Sequence, residues 1–277
     1  RGRPGAGDRG DPRDIVAQVR DRADGARYVL HCLRCPDPGD AEHALAQAHL
    51  LQDYPHRHVV RVHAAWPHRV RAFTDAGYAH DAWDLVAVLT DHCPGGRLVD
   101  QIRSKGLTGR AAAHDGGRRQ LLKWLAQAGG GLAHLHRRRL LHRNLNPGNF
   151  YLDRLGNVRV GGFAFLRSPR EPNHFALPGI ADLPFLRAPP PEMEEEEEHQ
   201  VTTASDIWQM GCCIYYWLTG REVPVEGFWT IEKLIHQIPI DLKEALGDAL
   251  LLCLQRDPGV RATAQQLADR LNLASQM

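Results

Sequence analysis

The segment His142-Arg143-Asn144-Leu145-Asn146-Pro147-Gly148-Asn149 gathers an imidazole, a guanidinium and several amides in a short stretch. Amides offer hydrogen bonds but no acid–base work, because an amide cannot act as a general base. Other candidates carry less. Cys32 and Cys35 form a CxxC with no second pair, so a zinc or redox site stands against chance placement along a strand and its exit. His56, His58 and His63 have no Cys or carboxylate set to complete a coordination shell, which favours surface and turn histidines over a metal site. Gly5, Gly7 and Gly10 spell the phosphate-cradling pattern GxGxxG, but almost no strand precedes them.

Elements of two kinds would have to position these groups. Residues 1–13 are rich in Gly, Arg, Asp and Pro and read as a flexible lead-in. The apolar stretches Ile15-Val16-Ala17 and Tyr28-Val29-Leu30 flank a turn signal at Asp21–Gly25, which predicts a hairpin. Asp40 to Tyr54 reads as a helix with Asp40 as its N-cap. Strands are expected at Val59–Ala65 and Leu85–Thr90. After Pro94-Gly95-Gly96, helical pattern dominates from Leu98 onward, broken by loops rich in Pro and Gly. A small sheet with one helix, then a larger helical lobe, is an α+β arrangement, with one part over 14–93 and the other over 94–277. Gly129-Gly130-Gly131 lies inside a helical pattern from Gln120 to His136. Each glycine there costs about 1 kcal/mol relative to alanine, so a close helix contact is expected.

Composition narrows the function classes. The 277 residues are 43% hydrophobic and 24% charged, as in ordinary globular proteins. The formal net charge is +1, from 34 basic and 33 acidic residues, which points to neither nucleic acid nor an anionic membrane as a partner. No apolar run approaches the ~20 residues needed to span a bilayer, and no signal peptide is visible. The 6 cysteines lie mostly in apolar surroundings, which fits reduced thiols and a cytoplasmic location. The chain begins with Arg1 and so reads as a piece of a longer protein, from which a targeting segment could have been lost. Glu194–Glu198 is a run of acidic residues that reads as a solvated tract, with docking of a basic partner as the alternative.

Five motifs in order give a specific resemblance. His142–Asn149 resembles the protein kinase catalytic loop H-R-D-L-x-x-x-N. Gly162-Phe163-Ala164 stands where the D-F-G motif would be, and Pro190-Pro191-Glu192 where kinases have A-P-E. Ser205-Asp206-Ile207-Trp208-Gln209-Met210-Gly211 is similar to the S-D-x-W-S-x-G opening of the long central helix. Asp257-Pro258-Gly259-Val260-Arg261-Ala262-Thr263 resembles the D-P-x-x-R-x-T segment near the end of the fold. The resemblance covers about residue 14 to 275 and extends to NIMA-related serine/threonine kinases. It implies a two-lobed kinase-like fold, with a small, mainly β N-lobe carrying one helix and a larger helical C-lobe.

That register also implies which chemical groups are replaced. The family's three glycine positions fall at Arg9, Asp11 and Asp14, where two acidic side chains would repel a triphosphate. The phosphate-holding lysine becomes His31 and its glutamate partner Gln47; a His–Gln hydrogen bond would not replace the ion pair. The catalytic base becomes Asn144, and the lysine two residues later becomes Asn146. The metal-binding aspartate becomes Gly162, leaving Asn149 as a loop hydrogen-bonding residue and no metal site. The vestigial cleft comprises Val16, Val29, Thr90, Cys93, Asn149 and Tyr151. Val29 and Tyr151 would narrow the adenine place, Thr90 matches the gatekeeper, and Asp91-His92-Cys93 the hinge.

Groups a fold needs remain. The resemblance places His142 and Phe163 in the regulatory spine with Leu51. It pairs Glu192 with Arg261 and has Asp206 hold the catalytic-loop backbone. After Ser168 no hydroxyl residue occurs until Thr202, so loop phosphorylation has no acceptor and Arg143 would serve packing or a carboxylate such as Asp182. The resulting expectation is a pseudokinase: a domain with no enzymatic activity and no cofactor, acting as a scaffold or allosteric module for other proteins, an active kinase among them. The alternative is residual ATP binding or weak serine/threonine phosphotransfer at a non-standard site.

Overall fold

A computed structural model describes residues 15–35, 38–73, 79–107, 115–162, 189–193, 201–224, 230–238 and 240–276. The lead-in 1–13, Phe163, the hydroxyl-free stretch from 169 to 188 and the acidic run Glu194–Glu198 lie outside them. The chain divides into two compact units, one ending at Pro94 and the other beginning at Gly95.

The first unit is a four-stranded antiparallel sheet in the order β1-β2-β4-β3, with one helix. Strand β1 (Ile15–Arg20) and strand β2 (Arg27–Cys35) form the expected hairpin. The turn chemistry is local. Asp21 and Asp24 accept from the backbone N–H groups of Ala23 and Ala26, both at 2.7 Å, and Gly25 takes φ +74°, where a side chain would be strained. Helix α1 (Pro38–Asp53) begins two residues before Asp40, which therefore lies in the first turn and not at the N-cap. Proline suits the first helical position because its φ is already helical and its missing N–H would have no partner there. Among the described residues of α1, Ala41, Ala48 and Leu51 are the buried apolar ones.

Strand β3 (Val62–Phe73) and strand β4 (Ala79–Asp91) are longer than the apolar alternation suggests. β3 starts at Val62 instead of Val59 and continues through Pro67 to Phe73; β4 starts at Ala79 instead of Leu85. Pro67 breaks the sequence signal, yet β3 is an edge strand, where one side of the backbone needs no ladder partner. Pairing of β2 with β4 ends at Cys35↔Asp84, while β3 stays paired with β4 as far as Phe73↔Ala79, so the hairpin runs on as a two-stranded ribbon.

The second unit is mainly helical. It contains α2 (Leu98–Ser104), α3 (Asp115–Arg137), the short hairpin β5 (Phe150–Leu152) and β6 (Val158–Val160), then α4 (Thr203–Thr219), α5 (Ile231–His236), α6 (Ile240–Cys253) and α7 (Ala264–Gln276). Leu121, Leu125 and Leu132 of α3 share a core with Trp208 and Trp217 of α4 and Leu267 and Leu271 of α7. Helix α4 is apolar on almost every side and is buried accordingly. Its ends are set by a capping box between Thr202 and Ser205 and by Gly220 at φ 70°. A Cβ on Gly129 would lie 3.2 Å from Ala268 Cα, so this glycine admits the close approach of α3 to α7. Among the described residues, no helix is long and apolar enough to cross a membrane. The architecture is α+β, a small antiparallel sheet unit followed by a helical one.

Candidate functional site: the 142–149 loop

Helix α4 builds the loop from beneath. Asp206 is fully buried in its first turn, and its two oxygens receive successive backbone N–H groups. Oδ2 accepts from His142 N at 2.8 Å and Oδ1 from Arg143 N at 2.8 Å. His136 Nε2, from the end of α3, also lies 2.8 Å from Asp206 Oδ2. One turn further along α4, Gln209 Oε1 accepts from Leu145 N at 3.0 Å. Burial would raise the Asp206 carboxyl, but the His136 hydrogen bond and charge, with the help of His142, hold it below the ordinary carboxylate value.

His142 is equally buried. Its Nε2 lies 2.7 Å from the carbonyl oxygen of Gly161, which can only accept, so Nε2 carries the proton. Nδ1 is then the acceptor for Asn144 N at 3.3 Å. Burial pushes the imidazole pKa down, against the opposing pull of Asp206.

The amides of the loop bond chiefly to the loop itself. Asn146 Oδ1 accepts from Gly148 N at 2.9 Å and so caps the single turn Pro147–Asn149. Asn146 Nδ2 lies 3.2 Å from both the backbone oxygen and Oδ1 of Asn144. Asn149 Nδ2 donates to the same Asn144 backbone oxygen at 2.7 Å. Gly162 follows at φ +79°, beside Asn149. Tyr151, half-buried in β5, is paired with Arg159 across the hairpin and forms an isolated bridge with Arg97.

A second anchor lies at the start and end of the helical stretch. Arg261 Nη2 and Nη1 reach the two oxygens of Glu192 at 2.6 and 2.8 Å. The same guanidinium donates to the backbone oxygens of Gln255, Ala204 and Arg256. Ser205 Oγ donates to Glu192 Oε1 at 2.9 Å. Burial acts to raise the Glu192 carboxyl, and the Arg261 hydrogen bonds and charge overcome it, leaving it below its ordinary value.

In the first unit, His31 and Gln47 are each engaged locally. His31 Nε2 is 3.3 Å from Thr90 Oγ1, and Gln47 Nε2 is 3.1 Å from His43 Nε2. Val29 pairs with Thr90 across β2 and β4, and Val16 pairs with His31 across β1 and β2. Val16 is exposed, Thr90 buried, and Val29 and Cys93 half-buried. Of the loosely grouped histidines, His63 pairs with Asp91 at 2.7 Å and His56 stacks edge-on with His58 at 5.6 Å. No disulfide joins any of the 6 cysteines. In the second unit burial pushes the Cys212 thiol up to about 12 and the Cys213 thiol well above its ordinary value.

The resemblance implies Mg²⁺, and the residues present do not fit it. Gly162 supplies no carboxylate, and the Asn149 amide is directed onto Asn144 and Gly162. Among the described residues, no group of three or more His, Cys, Asp or Glu is placed to hold a metal. Sequence reasoning missed the roles of His136 and Gln209. Gln209 left a trace, a polar residue three positions after Asp206 on an otherwise apolar helix; His136 left none.

The two-unit α+β fold, with a loop held by a buried aspartate and an Arg–Glu pair, defines a kinase-like domain. The family of protein tyrosine and serine/threonine kinases matches residues 31–271, and the chain belongs to it. It is 28% identical to serine/threonine-protein kinase Nek3 of Mus musculus over 70% of this chain and 37% of that protein. It is 23% identical to Nek4 of Mus musculus over 91% of this chain and 30% of that protein. It is 27% identical to Aurora kinase A-A of Xenopus laevis over 73% of this chain and 46% of that protein. The chain thus spans less than half the length of these relatives. These findings correct one expectation. The replacements at His31, Asn144 and Gly162 suggested a domain that is no enzyme, whereas the family is one of kinases and the relatives are named serine/threonine kinases.

Proposed function

We propose that this kinase-family domain works chiefly by binding other proteins, as a scaffold or allosteric partner of an active kinase. The observation that supports this reading is the division of labour in the second unit. The groups that fix its shape are fully engaged: Asp206 on two backbone N–H groups, and Arg261 on Glu192. The loop amides Asn144, Asn146 and Asn149 are bonded within their own loop. A near-neutral sequence charge of 34 basic and 33 acidic residues also suits protein partners better than nucleic acid.

A second reading is serine/threonine phosphotransfer at a non-standard site, favoured by the names of the relatives. One experiment separates them. The domain is titrated against purified active serine/threonine kinases while phosphate transfer from labelled ATP to a peptide library is followed, for wild type and Asn144→Ala. Saturable binding that changes the partner's rate equally with both proteins supports the first reading. Absence of such binding overturns it. Transfer that Asn144→Ala abolishes moves the assignment to the second.

A further inference from the structure

Asn149 and Gly162 make one packed unit. A Cβ built on Gly162 would lie 2.2 Å from Asn149 Cγ, 2.3 Å from Nδ2 and 2.5 Å from Oδ1. Atoms do not pack that closely, so one of the two would have to move. Asn149 is poorly placed to do so. Its Nδ2 donates to Asn144 O at 2.7 Å, its N–H to Asn146 O at 3.1 Å, and its own carbonyl accepts from Gly161 N at 2.8 Å. It is only 6% exposed. Gly162, at φ +79°, also sits where any Cβ is strained.

We infer that Asn149 is a structural strut: its amide packs against Gly162, which brings no carboxylate, so the pair makes no divalent-cation site and nucleotide binding by this chain is independent of Mg²⁺ and Mn²⁺. The inference is independent of the protein-binding reading and can fail without it. Its nitrogen end donates to Asn144 O, and its oxygen, the end that could ligate a cation, has beside it a residue that brings no second ligand.

The test has two arms. In the first, wild-type protein is melted with ATP plus Mg²⁺ and with ATP plus chelator, and Mn²⁺ alone is titrated while its magnetic resonance signal is followed. Equal melting shifts, zero included, and no saturable Mn²⁺ site support the inference. A larger shift with Mg²⁺, or saturable Mn²⁺ binding that Asn149→Ala removes, overturns it. In the second, Gly162→Ala, Asn149→Ala and the double variant are compared by denaturation. The double variant loses less stability than the two single losses summed, because removing the amide makes room for the added Cβ. Strictly additive losses overturn the strut.

Discussion

Asp206 holds Arg143 in a left-handed backbone conformation. The carboxylate Oδ1 accepts from Arg143 N at 2.8 Å, and Arg143 sits at φ 59°. That conformation costs a non-glycine residue roughly 1–2 kcal/mol, so a compensating bond is needed, and the neighbouring His142 N–H is bound by the other oxygen. Asp206→Ala leaves both N–H groups without this acceptor and strips His136 of its partner. The expected loss is about 3–5 kcal/mol, as for other broken buried pairs, measured as unfolding free energy in urea. A loss below about 1 kcal/mol would show that water or another group replaces the carboxylate.

Arg261 tests geometry against charge. Its fork reaches both Glu192 oxygens and three backbone carbonyls. Lysine keeps the charge but has a single nitrogen, which cannot reproduce the two-pronged contact. Arg261→Lys is therefore expected to destabilise substantially, and Arg261→Ala by about 3–5 kcal/mol. Equal stability of Arg261→Lys and wild type would mean that charge alone suffices.

His142 makes stability sensitive to acid. An unfolded imidazole takes up a proton near pH 6.5, while burial holds the folded His142 below that value. Below pH 6.5 the unfolded chain binds the extra proton first, so stability falls as pH drops. Asp206 acts on the same side, since its lowered carboxyl contributes above its unfolded value and that contribution fades as pH falls through the folded one. The urea midpoints of wild type and His142→Leu at pH 8 and pH 5 test this. The penalty of the substitution shrinks at pH 5; an equal penalty at both would assign the acid sensitivity elsewhere.

Arg139 offers a stabilising change. It is exposed just after α3, at φ 62°. Glycine takes that conformation without the Cβ penalty, so Arg139→Gly is expected to add about 1 kcal/mol. A lower melting temperature would show that the arginine side chain earns its place through contacts.

The motifs located the loop and its anchors because they record backbone needs at fixed spacing. Asp206, Glu192 and Arg261 were legible for that reason. The extent of β3 was not, because Pro67 reads as a breaker when the strand's position at the sheet edge is unknown. The first turn of α1 was misplaced because Asp40 and Pro38 are both start signals, and the proline's fixed φ set the boundary. The fit of Asn149 against Gly162 could not be read from spacing, since it depends on the side-chain rotamer and on φ at a single residue. The replacements at Asn144 and Gly162 did not license the conclusion that the domain is no enzyme, because the family is one of kinases.

The thiols differ in burial in a way that serves the experimentalist. Burial pushes the Cys212 thiol up to about 12 and the Cys213 thiol well above its ordinary value, so both are almost wholly protonated at pH 8. Cys253 is fully buried and pushed in the same direction. Cys32 and Cys93 are only half-buried and lie in the first unit. A maleimide fluorophore added to the native protein would therefore favour Cys32, on β2, and Cys93, just past β4, over the buried Cys213 and Cys253.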